Sequence, residues 1–202
     1  MNRTFSIVAK VVLKPGETPD VSAVPPLVRR RLSPLQKLYF ALAASVETSA
    51  PAATAVFASR DGEDTLTRRI VEEFNDDGSV SPHRFSASVY NAAPGLWSVY
   101  TKNRAPYTAV AAGEGSIEAG LLEALNGTVP SLFVYAEETG NGYGAGVLFG
   151  AEGGRPLAVT AGDPQAPFIT FDALVAFLAG ETAVLSGRWL TLTEDKTVQI
   201  RV

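Results

Sequence analysis

The stretch from Val80 to Glu138 decides the fold, and it reads VSPHRFSASVYNAAPGLWSVYTKNRAPYTAVAAGEGSIEAGLLEALNGTVPSLFVYAEE. An apolar run at residues 107–111 precedes the sharp turn Gly113-Glu114-Gly115, and a helical pattern begins at Ser116. A second apolar run follows at residues 132–135. Strands that alternate with helices in this way favour a layered α/β fold.

The same alternation extends outward in both directions. Ser33-Pro34 is typical of a helix start, because serine caps helices and proline fits their first turn. We find no internal repeat and no linker, so residues 1–202 are predicted to form a single domain. Further strands are predicted at 5–13, 54–59, 145–149 and 157–160. Helices are predicted after Ser33, after Glu63, at Asn91 and at 171–178. Segments 189–193 and 198–202 are predicted to form a closing C-terminal β-hairpin.

Composition and charge exclude several classes of protein. Of 202 residues, 46% are hydrophobic and 19% charged, which is ordinary for a globular domain. The formal net charge of −4, from 17 basic and 21 acidic residues, argues against a nucleic-acid binder. No run of apolar residues is long enough for a membrane helix, and the N-terminus lacks a signal-peptide pattern. We therefore expect a cytoplasmic protein that binds neither nucleic acid nor membrane.

The residues available for chemistry are few. The chain has no cysteine and one histidine, His83, so disulfides, thiolate metal sites, cysteine nucleophiles and histidine-based zinc sites are excluded. The glycine-rich segments lack a complete nucleotide-binding motif, and we expect no cofactor and no metal. Glu114 and His83 are candidate acid–base residues. The pair Glu137-Glu138 at a strand end is interpreted as solvated.

The stretch beginning at Val80 resembles a known family. Its Ser81-Pro82 pair, Asn91, Gly95, Ser98 and Pro106 fall in step with the N-terminal half of β-ketoacyl synthases, the thiolase-fold condensing enzymes. Phe57–Glu63 and Gly144–Phe149 resemble that family's first strand and turn and its Gly-Ala-Gly strand, more loosely. The chain is most similar to short ketosynthase-like proteins akin to the chain-length factors of aryl-polyene-type pathways.

The resemblance places the family's active-site cysteine at Glu114, in an elbow formed by Gly113, Gly115 and Ser116. The family's two catalytic histidines belong to its C-terminal half, and His83 matches neither. We therefore expect no condensing activity from this chain alone, which makes it a pseudoenzyme.

Physical chemistry leaves two interpretations of Glu114. At a helix N-terminus its carboxylate would meet exposed amide donors and act as a structural anion, with Ser116 capping the helix. Alternatively it is an exposed turn residue without a role. A nucleophilic role is disfavoured, because attack of a carboxylate on a thioester would give a reactive anhydride.

The resemblance implies a function as a non-catalytic subunit of chain-length-factor type that pairs with a full-length ketosynthase in fatty acid or polyketide biosynthesis. Its dimer edge would be the strand formed by Tyr107, Thr108, Ala109, Val110 and Ala111, and its acyl-tunnel lining would be Asn91, Leu96 and Trp97. Acyl carrier protein is a further candidate partner. Two alternatives stay open, a homodimeric acyl- or carrier-protein-binding module and an enzyme that uses Glu114 with His83.

Overall fold

The computed structural model describes residues 4–46 and 54–195, which form one mixed sheet flanked by helices. Strands β2, β3 and β4 are parallel, and the other pairings are antiparallel. The order across the sheet is β3-β2-β4-β5-β1-β6-β8-β7. The strands are β1 (Thr4–Leu13), β2 (Thr54–Ala58), β3 (Tyr107–Val110), β4 (Ser131–Glu137), β5 (Tyr143–Gly150), β6 (Arg155–Ala161), β7 (Val184–Ser186) and β8 (Leu190–Glu194).

Helices cover both faces of the sheet and create two cores. β4 is buried at all seven positions, and its side chains alternate between the cores, as expected of a strand covered on both faces. Phe133 packs with α6 and α7, whereas Leu132 and Val134 pack with α2 and α5. The helices are α1 (Pro26–Arg29), α2 (Pro34–Val46), α3 (Asp64–Asp77), α4 (Pro82–Ala87), α5 (Ala92–Thr101), α6 (Ser116–Asn126) and α7 (Phe171–Ala179). The predicted α/β fold is thereby confirmed.

The predicted start of α2 is confirmed by a reciprocal cap. The Gln36 backbone N–H donates to Ser33 Oγ at 3.0 Å, and the Ser33 N–H donates to Gln36 Oε1 at 3.2 Å. This capping box satisfies two amide groups that the helix itself leaves free. The helix then lies close over β5, where a Cβ on Gly146 would be 3.0 Å from the Leu42 carbonyl oxygen.

The C-terminal hairpin differs from its prediction. β8 pairs with β7 on one side and with β6 on the other, so both of its edges are occupied. The hairpin is therefore formed by Val184–Ser186 and Leu190–Glu194, and the predicted partner strand at 198–202 lies outside the described residues. β7, α1 and α4 were not predicted, because segments of three to six residues are too short to show a periodic pattern.

A buried carboxylate on α6 fastens the C-terminal segment to the rest of the fold. The side chain of Glu118 is fully buried. Its Oε1 accepts from the backbone N–H groups of Ile169 at 2.8 Å and Arg188 at 3.2 Å, and Oε2 accepts from that of Trp189 at 2.7 Å. A Cβ on Gly187 would collide with Oε1, so a glycine is needed beside the carboxylate.

We expect Glu118→Gln to lower the free energy of unfolding by about 2–4 kcal/mol, because the new amide group would face a backbone donor and leave it unpaired. Urea unfolding followed by circular dichroism measures this change. Glu123→Gln, at an exposed position of the same helix, is the control and should change stability by less than about 0.5 kcal/mol. Equal stability of the two variants would contradict the anchoring role.

Candidate functional site

The elbow between β3 and α6 is the centre of the candidate site. A 3-10 turn at Gly113–Gly115 connects to α6, and Gly113 has a φ of 57°, in the left-handed region that favours glycine. Ser116 Oγ accepts from the Ala112 N–H at 3.0 Å and donates to the Gly113 carbonyl at 2.7 Å. The prediction that Ser116 caps α6 is wrong, because both hydrogen bonds of its hydroxyl go to the preceding turn and Gly115 occupies the N-cap position.

The C-terminal segment lies directly against this elbow. A Cβ on Gly115 would be 2.7 Å from the Trp189 ring and 3.1 Å from the Phe168 ring. These two rings pack edge to face with their centroids 5.0 Å apart. Glycine at position 115 is therefore required by close approach, and the contacts of Glu118 hold the approaching segment in place.

Glu114 itself is exposed on the elbow. Among the described residues its carboxylate forms no hydrogen bond or ion pair, so it does not act as an anion fixed by the amides of α6. Of the two interpretations, the exposed turn residue agrees with the structure.

A cavity of about 380 Å³ opens beside Glu114. Its wall includes four aromatic residues, of which Phe168 packs against Trp189. The other three form a group, with the Tyr143 and Phe171 ring centroids 4.7 Å apart and the Tyr135 centroid 6.5 Å from that of Tyr143. Burial, followed by the nearby charge of Glu137, raises the pKa of both tyrosines. Both phenols are therefore protonated at neutral pH, and they are hydrogen-bonded to each other, with Tyr135 also bonded to Glu137. Arg60 and Glu114 supply the charged groups of the lining.

The carboxylate at the end of β4 is buried, contrary to its interpretation as solvated. Glu137 is 2% exposed and accepts from Ser59 Oγ at 3.1 Å, from the Arg60 N–H, and from the Asp61 N–H at 3.4 Å. Burial raises its pKa, and these hydrogen bonds oppose that rise. Glu137 therefore stabilises the turn that follows β2, and its carboxylate is not accessible to act as an acid catalyst.

A second pair of carboxylates lies close to this turn. Glu63 accepts from Ser33 Oγ at 2.9 Å, and Glu138 accepts from the Thr65 N–H at 2.5 Å. The second carboxylate oxygen of each is buried without a hydrogen-bond partner among the described residues. Burial and the charge of Glu138 together raise the pKa of Glu63 to about 7.

The remaining predicted site residues are spread over the surface and the core. Asn91 and Leu96 are exposed, whereas Trp97 is 3% exposed and packs edge to face on Phe40 at 5.2 Å. Trp97 therefore belongs to the core and is not available to line a tunnel in a partner. His83 lies in a different cavity from Glu114, and the two cavities share no lining residue. The structure does not bring this acid–base pair together.

The predicted dimer edge lies at one end of the sheet. β3 is the outermost strand in the order, and Ala111 follows its last residue. The carbonyls of Pro106 and Val110 accept hydrogen bonds from β2. By alternation, the N–H and C=O groups of Tyr107 and Ala109 point away from β2. No strand pairs with them within the described part of the chain.

The buried carboxylates that matter here, Glu118 and Glu137, were not identified from the sequence. Their partners lie 51 to 78 residues away along the chain, so no local pattern reports them. No group of three or more potential ligands for a metal ion occurs among the described residues. In the same part of the chain, no helix combines the length and apolarity needed to cross a bilayer.

We expect a pH-dependent difference in stability between Glu63→Gln and the wild type. The folded-state pKa of about 7 exceeds the ordinary value of 4.5, so the folded state binds the proton more strongly. The stability that Glu63 contributes is thus present below pH 4.5 and lost as the pH rises to about 7. Above that pH the variant should be more stable by about 1–3 kcal/mol.

Urea unfolding at intervals between pH 4.5 and 8 measures this difference. Glu72→Gln, at an exposed position of α3, is the control and should keep the wild-type pH profile. A Glu63→Gln profile parallel to that of the wild type over the whole range would contradict the assignment.

Comparison with known proteins agrees with the sequence resemblance. The model of the β-ketoacyl synthase N-terminal domain matches residues 7–139, about two thirds of the chain. A search of curated proteins found no match. Among solved structures, "Ketosynthase (ApeO) in Complex with its Chain Length Factor (ApeC) from Xenorhabdus doucetiae" contains a similar chain. That match has a TM-score of 0.76 and 22% identity, and covers 94% of this chain and 98% of that chain.

The structural match shows a shared fold over nearly the whole length of both chains, and the family model covers the elbow and β4. The chain therefore belongs to the β-ketoacyl synthase family, through that family's N-terminal domain.

Proposed function

We propose that this protein is a non-catalytic subunit of chain-length-factor type that pairs with a full-length β-ketoacyl synthase in aryl-polyene-type fatty acid or polyketide biosynthesis. The observation that carries the proposal is the outer edge of β3, which is unpaired within the described residues and lies beside α5, where Leu96 and Val99 are exposed. The similar chain from Xenorhabdus doucetiae comes from a complex of a ketosynthase with its chain length factor, which supports the same assignment.

The composition of the elbow supports a role without catalysis. The chain contains no cysteine, and the residue that stands at the family's nucleophile position is the exposed Glu114. His83, the other candidate acid–base residue, lines another cavity and therefore does not face Glu114. The residues present cannot form and resolve an acyl-enzyme by the chemistry of the family.

Most of the large exposed apolar side chains belong to one segment of the chain, which ends at β3. Eight of the twelve large hydrophobic residues that are exposed among the described residues fall between positions 71 and 107. Those on α5 belong to the helix that packs against β3, and exposed apolar groups beside an open strand edge are typical of a surface that a partner covers. These eight residues are Val71, Phe74, Phe85, Val89, Tyr90, Leu96, Val99 and Tyr107.

The open edge supplies a specific mode of association. A strand added at β3 would pair with the outward N–H and C=O groups of Tyr107 and Ala109 and extend the sheet across the interface. The apolar side chains of α5 would then be buried beside the new strand pair. Val99 is 78% exposed and so has the most apolar surface that the interface could remove from water.

We expect Tyr107→Glu to weaken the complex with the ketosynthase encoded nearest to this protein by about tenfold or more, because it buries a charge in the interface. Size-exclusion chromatography with light scattering, and titration of the two proteins, measure this effect. Val184→Glu is the control, since Val184 is similarly exposed on β7, at the opposite end of the sheet.

Equal binding by both variants would contradict the use of the β3 edge. A homodimer that shows no affinity for the ketosynthase, and that Tyr107→Glu converts to a monomer, would replace the proposal with the homodimeric module. Circular dichroism and the melting temperature establish that each variant is folded.

The proposed mechanism of length control is steric. Because Trp97 is buried, the residues left to shape a partner's acyl tunnel are the exposed members of the predicted set, Asn91 and Leu96. Asn91 is the N-cap residue of α5 and Leu96 lies in the middle of that helix, which follows an exposed apolar segment at Val89 and Tyr90. A side chain at position 96 would limit the growing acyl chain by its volume.

We expect Leu96→Trp to shorten the products of the reconstituted ketosynthase complex, and Leu96→Ala to lengthen them. The physical reason is that the volume at the end of a tunnel sets how many carbons fit. Mass spectrometry of the released acyl chains measures the distribution, and Val184→Ala is the control. An unchanged distribution for both Leu96 variants, in complexes that remain intact, would overturn the tunnel role.

A further inference from the structure

A second cavity, of about 340 Å³, lies between the loop before α2, the first turns of α3, and α4. Five of its lining residues are basic and come from three separate segments of the chain. They are Arg30 and Arg31 before α2, Arg69 on α3, and His83 and Arg84 on α4. Nothing in the proposed pairing with a ketosynthase uses this cavity.

The charge in this cavity opposes that of the whole protein. The chain has a formal net charge of −4, yet four of its 17 lysine and arginine residues line this one cavity. Glu73 is shared by two of them, because its Oε1 lies 3.3 Å from Arg69 Nε and also pairs with Arg84. Arg30 and Arg31 are exposed and form no ion pair among the described residues. Among the described residues, Glu73 is the one carboxylate that forms ion pairs with these four guanidinium groups, while Glu63 and Glu138 bond to the lining residues Ser33 and Thr65.

We propose that this cavity binds an organic phosphate ester. Guanidinium groups donate paired hydrogen bonds to phosphate oxygens, and several of them around one site match the charge of a phosphate dianion. The Ser33 hydroxyl at the rim is already engaged with Glu63 and with the Gln36 N–H. The arginine side chains therefore carry the recognition.

The remaining lining residues favour an ester over inorganic phosphate. The cavity is much larger than a phosphate group, and its wall includes Leu32, Pro34, Leu66 and Ala87. An apolar group attached to the phosphate would cover these side chains and remove their surface from water. The ligand is thus a small molecule with a phosphate at one end and an apolar portion at the other.

Isothermal titration calorimetry with inorganic phosphate and with butyl phosphate tests the proposal. At low ionic strength we expect saturable binding of butyl phosphate, about tenfold tighter than that of inorganic phosphate. Arg69→Ala and the double variant Arg30→Ala/Arg31→Ala should each weaken butyl phosphate binding by about tenfold or more.

Arg68→Ala is the matched control. Arg68 is also exposed on α3 and also forms an ion pair four residues away, with Asp64 at 2.7 Å, but it does not line the cavity. The Arg68→Ala variant should bind butyl phosphate with an affinity within about twofold of the wild type, because Arg68 does not line the cavity. Loss of its surface ion pair should change the stability of the protein little. Melting temperatures confirm that all the variants are folded.

Three results would overturn the proposal. The first is the absence of saturable binding of either phosphate probe. The second is an equal loss of affinity in Arg68→Ala, which would mean general charge attraction. The third is equal affinity for inorganic phosphate and butyl phosphate, which would mean that the apolar wall plays no part in binding.

Discussion

Three hydrogen bonds to one buried carboxylate connect helix α6 to the C-terminal segment of the described fold. Glu118 lies on the helix that follows the elbow, and its acceptors are filled by backbone donors from the segment around Ile169 and from the hairpin at Arg188 and Trp189. Since an ion is costly to bury without such partners, the carboxylate constrains that segment to one position. That position brings the Trp189 ring against Gly115, and the C-terminal hairpin thereby covers the elbow.

The features that could be predicted from the sequence are those formed by residues close to one another along the chain. The capping box of α2 joins residues three apart, and the elbow turn joins residues within four, so both leave a local pattern in the sequence. Glu137 is different, because its burial depends on Ser59, which is 78 positions away. A glutamate at the end of a strand has the same local sequence whether it is solvated or buried. The role of Ser116 was misassigned for a related reason, since a serine at a helix start can bond to either side.

The sheet has two edges with different surroundings. β7 at one end is the three-residue outer strand of the closing hairpin, and short edge strands offer little template for pairing. β3 at the other end directs the free groups of Tyr107 and Ala109 outward, next to apolar side chains of α5. An edge of this kind invites aggregation unless it is covered. The two edges therefore differ in what they could offer to a pairing strand, and the proposed association uses the β3 end.

The elbow keeps its shape by means that do not involve the side chain at position 114. Gly113 supplies the left-handed backbone, Ser116 closes the turn, and Gly115 admits the Trp189 ring, while Glu114 points into an open cavity without a partner among the described residues. A change of side chain at position 114 would therefore cost little stability. Under the proposed assignment of Glu114 to the family's nucleophile position, the elbow can keep its fold without the nucleophile, because the turn is built by its neighbours.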